Sequence, residues 1–187
     1  MKGYSETESG KREFPETEPG RNEYSGTDPG RKGYFGTEPG RERNSELSEE
    51  IRIQELIRAA TAQLAHSYAP YSDFKVGAAL LAEDGRIFTG CNIENAAYTP
   101  SNCAERTAFY KAVSEGVRGF RAICIVGGKS GNPTGYVAPC GVCRQVMMEF
   151  CDPETFRIIL AYGRENYKIF RLKNLMPEGF GPADLNA

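Results

Sequence analysis

The chain carries two cysteine clusters that serve one purpose only if the fold closes a gap of 37 positions between them: Cys103-Ala104-Glu105 and Pro139-Cys140-Gly141-Val142-Cys143. Both clusters fall where helices are predicted to begin. Unpaired N–H groups and the positive end of a helix favour thiolate over thiol there. Cys140 and Cys143, three apart, share one helical face and can share one ion. Cys103 must then arrive from a different helix. Three thiolate donors leave one tetrahedral position open, which separates a catalytic metal centre from a structural one, and Glu105 adds a carboxylate two residues from a donor. A closed structural knot needs a fourth ligand of similar spacing. Cys91, Cys124 and Cys151 each stand alone, and His66 has no partner nearby.

Length and charge narrow the classes. A chain of 187 residues accommodates one ordinary domain with an appendage. Its net charge of −2 argues against a nucleic-acid surface driven by bulk charge. No apolar run reaches the roughly 18 residues of a membrane span, and the acid-rich N-terminus does not read as a secretory or transit signal. The cysteines are not spaced as a disulfide framework, so reduced thiols and a cytoplasmic location are expected.

Residues 1–44 repeat with a ten-residue period, MKGYSETESG, KREFPETEPG, RNEYSGTDPG and RKGYFGTEPG. They contain no Ala, Val, Ile or Leu but 8 Gly and 4 Pro, a composition that predicts a disordered extension. Tyr4, Phe14, Tyr24 and Tyr34 recur within it; a solvated, duplicated tail is the plainer account, and a sticker surface for a partner the other. Residues 45–187 form the second domain.

Within that domain Ser48, followed by Glu49 and Glu50, reads as the cap of a helix running to about Tyr68 with Leu47, Ile51, Ile57, Ala60 and Leu64 on its inner face. Phe74–Ala82 and Ile87–Glu94 read as a hairpin about Glu83-Asp84-Gly85-Arg86. A helix Cys103–Glu115 capped by Asn102, a buried strand Arg121–Val126, a helix Cys140–Cys151 and strands Arg157–Tyr162 and Tyr167–Leu172 follow. The order α-β-β-α-β-α-β-β predicts an α/β fold: a five-stranded mixed sheet covered by helices in three layers, α/β/α.

Taken together these motifs resemble the cytidine deaminase family of the small, three-cysteine zinc type. The resemblance spans roughly Leu47 to Phe180. It rests on Tyr71-Ser72-Asp73-Phe74-Lys75-Val76-Gly77-Ala78-Ala79, on Gly90-Cys91-Asn92-Ile93-Glu94-Asn95-Ala96-Ala97-Tyr98, on the cysteine motifs with Arg106 and Arg144-Gln145, and on Leu175-Met176-Pro177-Glu178-Gly179-Phe180, where Met176 replaces the usual leucine. It implies one Zn²⁺ per subunit on Cys103, Cys140 and Cys143, with Glu105 as the non-ligand proton carrier of the zinc deaminases. It implies further that Asn92 and Glu94 hold the ribose 3′ side, that Phe74 and Phe180 wall the pyrimidine, and that the Ala104 backbone helps read the base amide. The Tyr98 and Phe180 equivalents reach across subunit boundaries, so a homotetramer with composite sites is expected.

Strand parity agrees with part of this, since Asn92 and Glu94 share a face from which Ile93 turns away. Arg106 is expected to offset the excess charge of three thiolates, its ordinary alternative being a surface cation. The implied reaction is hydrolytic deamination of cytidine and 2′-deoxycytidine, without organic cofactor, in pyrimidine salvage. A blasticidin-S type deaminase shares the metal motifs, but Asn92-Ile93-Glu94-Asn95 and Phe180 favour the nucleoside. A polynucleotide substrate is disfavoured by 15 basic against 16 acidic residues from Ser45 on. A zinc-stabilised interaction module working through the repeats is the alternative from another class.

Overall fold

The structure, a computed structural model, describes residues 39–185. Residues 1–38 of the repeat segment, and the expectation of disorder for them, lie outside the described residues; residues 39–44 of the same segment belong to the first helix. Helix α1 runs Pro39–Ala62 and ends in a 3-10 turn, Gln63–His66. It starts well before Ser48, which therefore does not cap it. Proline suits a first helical turn, and the segment from Arg41 to Leu47 contains neither Gly nor Pro to stop the helix earlier.

Strands β1 (Phe74–Ala82) and β2 (Ile87–Cys91) form the hairpin. Then come α2 (Ala104–Ser114), β3 (Phe120–Lys129), α3 (Gly141–Phe150), β4 (Arg157–Ala161), β5 (Tyr167–Arg171) and the short helices α4 (Leu172–Leu175) and α5 (Pro182–Leu185). The sheet order is β2-β1-β3-β4-β5. Only β3 and β4 run parallel; the other neighbours are antiparallel. The architecture is the expected α/β sheet with helices on both faces.

Alternation along the central strands builds two cores. Leu80, Ile123, Ile125, Ile158 and Leu160 face α2 and α3, whose Phe109 and Met147, with Phe156 just before β4, complete the larger cluster. Ala79, Leu81, Cys124, Val126 and Ile159 face α1 and meet its Ile53, Leu56, Ile57, Ala60 and Leu64. Of the apolar positions read from the sequence Ile57, Ala60 and Leu64 are buried there, joined by Ile53 and Leu56, while the side chains of Leu47 and Ile51 lie outside the described residues. Each fully buried large side chain contributes roughly 1.5–3 kcal/mol. Two glycines let the helices sit close. A Cβ at Gly77 would lie 2.0 Å from the Ala60 carbonyl oxygen, and one at Gly90 would lie 2.4 Å from that of Ala104. The second contact presses the start of α2, with Cys103 and Glu105, against β2.

Strand β2 stops at Cys91 rather than Glu94. Beyond it Asn92 turns its amide onto the backbone of β1, and Ile93 makes isolated bridges to Tyr68 and Asn102. The last bridge ties the Asn92–Glu94 segment to the residue before Cys103.

Candidate active site

Cys103 is the N-cap of α2 and Cys140 the N-cap of α3, both with extended backbone and no side-chain cap. Asn102, expected to cap α2, instead exchanges backbone bonds with Ile93 and donates its amide to Thr107 Oγ1 at 3.1 Å. Both thiol groups therefore take the place a capping oxygen would hold, at the positive end of a helix. Cys143 follows one turn inside α3 and is buried.

The three sulfurs lie within 4.8 Å of one another. Cys140 Sγ stands 3.7 Å from Cys103 Sγ and 3.5 Å from Cys143 Sγ. Tetrahedral ligands at a zinc–sulfur length of about 2.3 Å stand about 3.8 Å apart, so this donor set fits zinc in both chemistry and span. A hydrogen bond from the Cys143 thiol, together with Arg106 and working against burial, holds Cys103 down to about 5. The same bond and burial push Cys143 up. The remaining cysteines sit elsewhere: Cys91 donates to the His66 carbonyl at 3.3 Å, Cys124 is buried against α1, and Cys151 packs at the edge of the larger cluster.

Glu105 is the one buried charged side chain among the described residues, 4% exposed. Burial, reinforced by the neighbouring charge of Cys103, raises its carboxyl to about 7. A group poised there gains and loses a proton at neutral pH. Arg106 is not a surface cation. Its Nη2 donates to the Ser101 carbonyl at 3.1 Å and lies 3.9 Å from Cys103 Sγ, while its Nε is buried without a protein partner. Burial opposes its charge, and the Cys103 sulfur outweighs burial and keeps it protonated.

The structure gathers Phe74, Asn92 and Glu94 around one stretch of chain. Asn92 Nδ2 donates to Phe74 O and its Oδ1 accepts from Val76 N, both at 2.8 Å, and also from the Ser67 hydroxyl. Glu94 Oε2 accepts from Tyr71 N at 2.8 Å and Ser72 N at 3.2 Å, and its Oε1 from the Ser72 hydroxyl. Phe74 is exposed and belongs to neither apolar cluster. Ile93, expected to turn away from the face of Asn92 and Glu94, is exposed. Ala104, fully buried, opens α2 between Cys103 and Glu105. Tyr98, with φ 58°, is 75% exposed and touches Tyr71 edge-on. Phe180 is exposed as well and is held through its carbonyl by Gln145 Nε2 at 2.9 Å.

Three supporting side chains carried no assigned role in the sequence. Ser67 and Ser72 orient Asn92 and Glu94. Arg144 donates from Nε to Pro139 O at 2.8 Å and from Nη1 to Leu175 O at 2.7 Å, joining the turn before Cys140 to the C-terminal segment. Their one sequence signal was a place inside or beside the recognised motifs.

Comparison with known proteins bears on this arrangement directly. Residues 51–158 match the model described as the cytidine and deoxycytidylate deaminase zinc-binding region. The chain belongs to the cytidine and deoxycytidylate deaminase family. The cytidine deaminase of Sporosarcina psychrophila is 46% identical over 134 residues, 72% of this chain and 95% of that protein. That of Halalkalibacterium halodurans is 44% identical over 133 residues, 71% of this chain and 97% of that one. The solved cytidine deaminase of Burkholderia pseudomallei matches with TM-score 0.62 at 46% identity, over 67% of this chain and 97% of that one. Among the described residues, no helix of this family member is long and apolar enough to cross a membrane.

Proposed function

We propose that the protein is a zinc-dependent cytidine deaminase, converting cytidine and 2′-deoxycytidine with water to the uracil nucleosides and ammonia, in pyrimidine salvage in the cytoplasm. One observation carries the reading: three thiol groups from two helix starts come together at zinc-ligand spacing, and the start that supplies Cys103 also carries the buried carboxyl of Glu105, raised to about 7. Cys103, Cys140 and Cys143 hold one zinc per subunit, which when bound supplies the Lewis acidity that makes water a nucleophile at neutral pH. Glu105 accepts the proton of the attacking water and delivers it to N3 of the pyrimidine, making C4 electrophilic. After attack at C4 it takes the remaining proton from the new C4 hydroxyl and passes it to the amino group; the C4–N bond breaks as C4=O forms, and ammonia leaves. Arg106, beside Cys103, offsets the charge of three thiolates.

Substrate placement follows from donor and acceptor counts. Among the described residues, Asn92 Oδ1 already accepts two bonds and Nδ2 has one N–H left, while three of the four acceptor sites of Glu94 are filled. One donor beside one acceptor complements a hydroxyl, which supports a sugar hydroxyl as their partner. Phe74 and Phe180 are proposed to flank the base, and the Ala104 backbone to meet its amide. The exposure of Tyr98 and Phe180 supports their burial by neighbouring subunits of a tetramer. The catalytic domain is proposed as residues 45–187, the repeats standing outside it. Incubating purified, zinc-loaded protein with cytidine tests the reading: absorbance falls and one ammonia appears per uridine. No turnover of either cytosine nucleoside overturns it.

A further inference from the structure

Ser72 lies inside the Tyr71–Ala79 motif, exposed to solvent, and its hydroxyl makes two bonds that together link two parts of the proposed site. It donates to Glu94 Oε1 and accepts the Phe74 N–H at 3.0 Å. The direction of the first bond is fixed. The Ser72 hydroxyl, with the Tyr71 N–H, holds the Glu94 carboxyl below the usual carboxylate range, so Glu94 is ionised at neutral pH and can only accept. A hydroxyl owns one proton and two lone pairs, which leaves a lone pair for the Phe74 N–H. The Phe74 carbonyl meanwhile takes the Asn92 amide at 2.8 Å. Both backbone polar groups of Phe74 thus end on the Asn92–Glu94 pair, one directly and one through Ser72. A third hold comes from Ser130, whose N–H donates to Asp73 O at 2.7 Å and whose hydroxyl donates to the Asp73 carboxylate; both residues adopt positive φ, 55° and 56°.

We propose that Ser72 is a positioning residue that aims the Glu94 carboxylate and the Phe74 ring at one substrate, and so governs affinity for the nucleoside's sugar rather than the rate of the chemistry. The proposal rests on the cytidine deaminase reading. Without the hydroxyl, Oε1 of Glu94 loses its fixed direction while Oε2 keeps its two backbone N–H groups. The Phe74 N–H, at an exposed position, turns to water. Neither change touches Glu105 or the thiols.

The test uses the full-length, zinc-loaded protein with cytidine and 3′-deoxycytidine. Ser72→Ala and Ser72→Cys are expected to raise KM for cytidine about tenfold with kcat within about twofold, the mark of lost uniform binding. Both are expected to lose most of the preference for cytidine over 3′-deoxycytidine, whereas Ser72→Thr, which keeps the hydroxyl, retains it. In a Glu94→Gln background Ser72→Ala should add little, because the two act through one contact. The Cys variant carries the test if the Ala variant does not fold. Unchanged KM and preference, a fall in kcat at constant KM, a melting shift with preference intact, or a wild type indifferent to the 3′-hydroxyl each overturns the role of Ser72. A wild type that releases no ammonia from cytidine overturns the deaminase reading itself.

Discussion

Replacing Gly90 by alanine puts a single methyl group between the sheet and the helix that begins the site. That methyl would sit 2.4 Å from Ala104 O, 2.6 Å from Ala108 N and 2.9 Å from Thr107 Cβ. Ordinary contact begins near 3.4 Å, so α2 must retreat by about 1 Å. Two of the three atoms are backbone, and no change of rotamer relieves them. Overpacking costs about 1–3 kcal/mol where side chains can adjust, so rigid backbone puts this change near 3 kcal/mol. For a domain of this size that lowers the melting temperature by about 10 °C at fixed protein and zinc concentration. The second effect is on chemistry, because the displaced turn supplies Cys103 and Glu105, and a misplacement near 1 Å can lower turnover by about 10²-fold. Differential scanning calorimetry and steady-state deamination of cytidine, at matched zinc content, measure both effects. Gly135→Ala, with nothing within 4 Å of the added Cβ, is the matched control and should stay within about 0.5 kcal/mol of wild type. A Gly90→Ala protein with wild-type melting and turnover would refute the claim that this contact sets the position of α2.

Further outcomes bear on the site itself. Glu105→Gln keeps shape and zinc but removes the proton carrier, and turnover should fall at least 10²-fold in a standard absorbance assay; retention of a tenth of wild-type kcat contradicts its role. Alanine at Cys103, Cys140 or Cys143 should remove most bound zinc by metal analysis, while alanine at Cys91, Cys124 or Cys151 leaves about one zinc per chain. A zinc-free Cys91 variant would point to a closed four-cysteine centre. Arg144→Ala, which frees Pro139 O and Leu175 O, should weaken zinc about 10–100-fold in a chelator competition; unchanged affinity would show that the turn before Cys140 is held by other contacts.

The parts of this molecule readable from the chain were those whose cause is local. β1 spans Phe74–Ala82 as its apolar run implies, and the Glu83–Arg86 turn is closed by the Ala82–Arg86 and Gly85–Ala82 backbone bonds. The thiols were legible because motif and helix start coincide. Misreadings occurred where a local signal competed with a contact it could not see. Ser48 looked like a cap although the residues before it extend the helix. Asn102 looked like a cap because its bridge to Ile93 is nine positions away in sequence. The pleat placed Asn92 and Glu94 on one side, but their bonds to Phe74, Val76, Ser67 and Ser72 span 16 to 25 positions. Such bonds depend on how β1 meets the end of β2, which no single-strand pattern encodes. The hold of Gln145 on Phe180 is of the same kind, 35 positions long.

The third strand lies between the first thiol and the other two, and this orders events in time. Cys103 leaves the ribosome 37 residues ahead of Cys140, a delay of roughly two to seven seconds at about 5–20 residues per second. Throughout that interval no nascent segment owns a complete donor set, and β3 still lacks its parallel partner β4. A free ion therefore finds no local loop to nucleate, as it would in a finger-type peptide. On the proposed function, zinc can be held only once both helix starts have been made and brought together, so the active fraction in a cell should follow the supply of exchangeable zinc rather than the pace of translation.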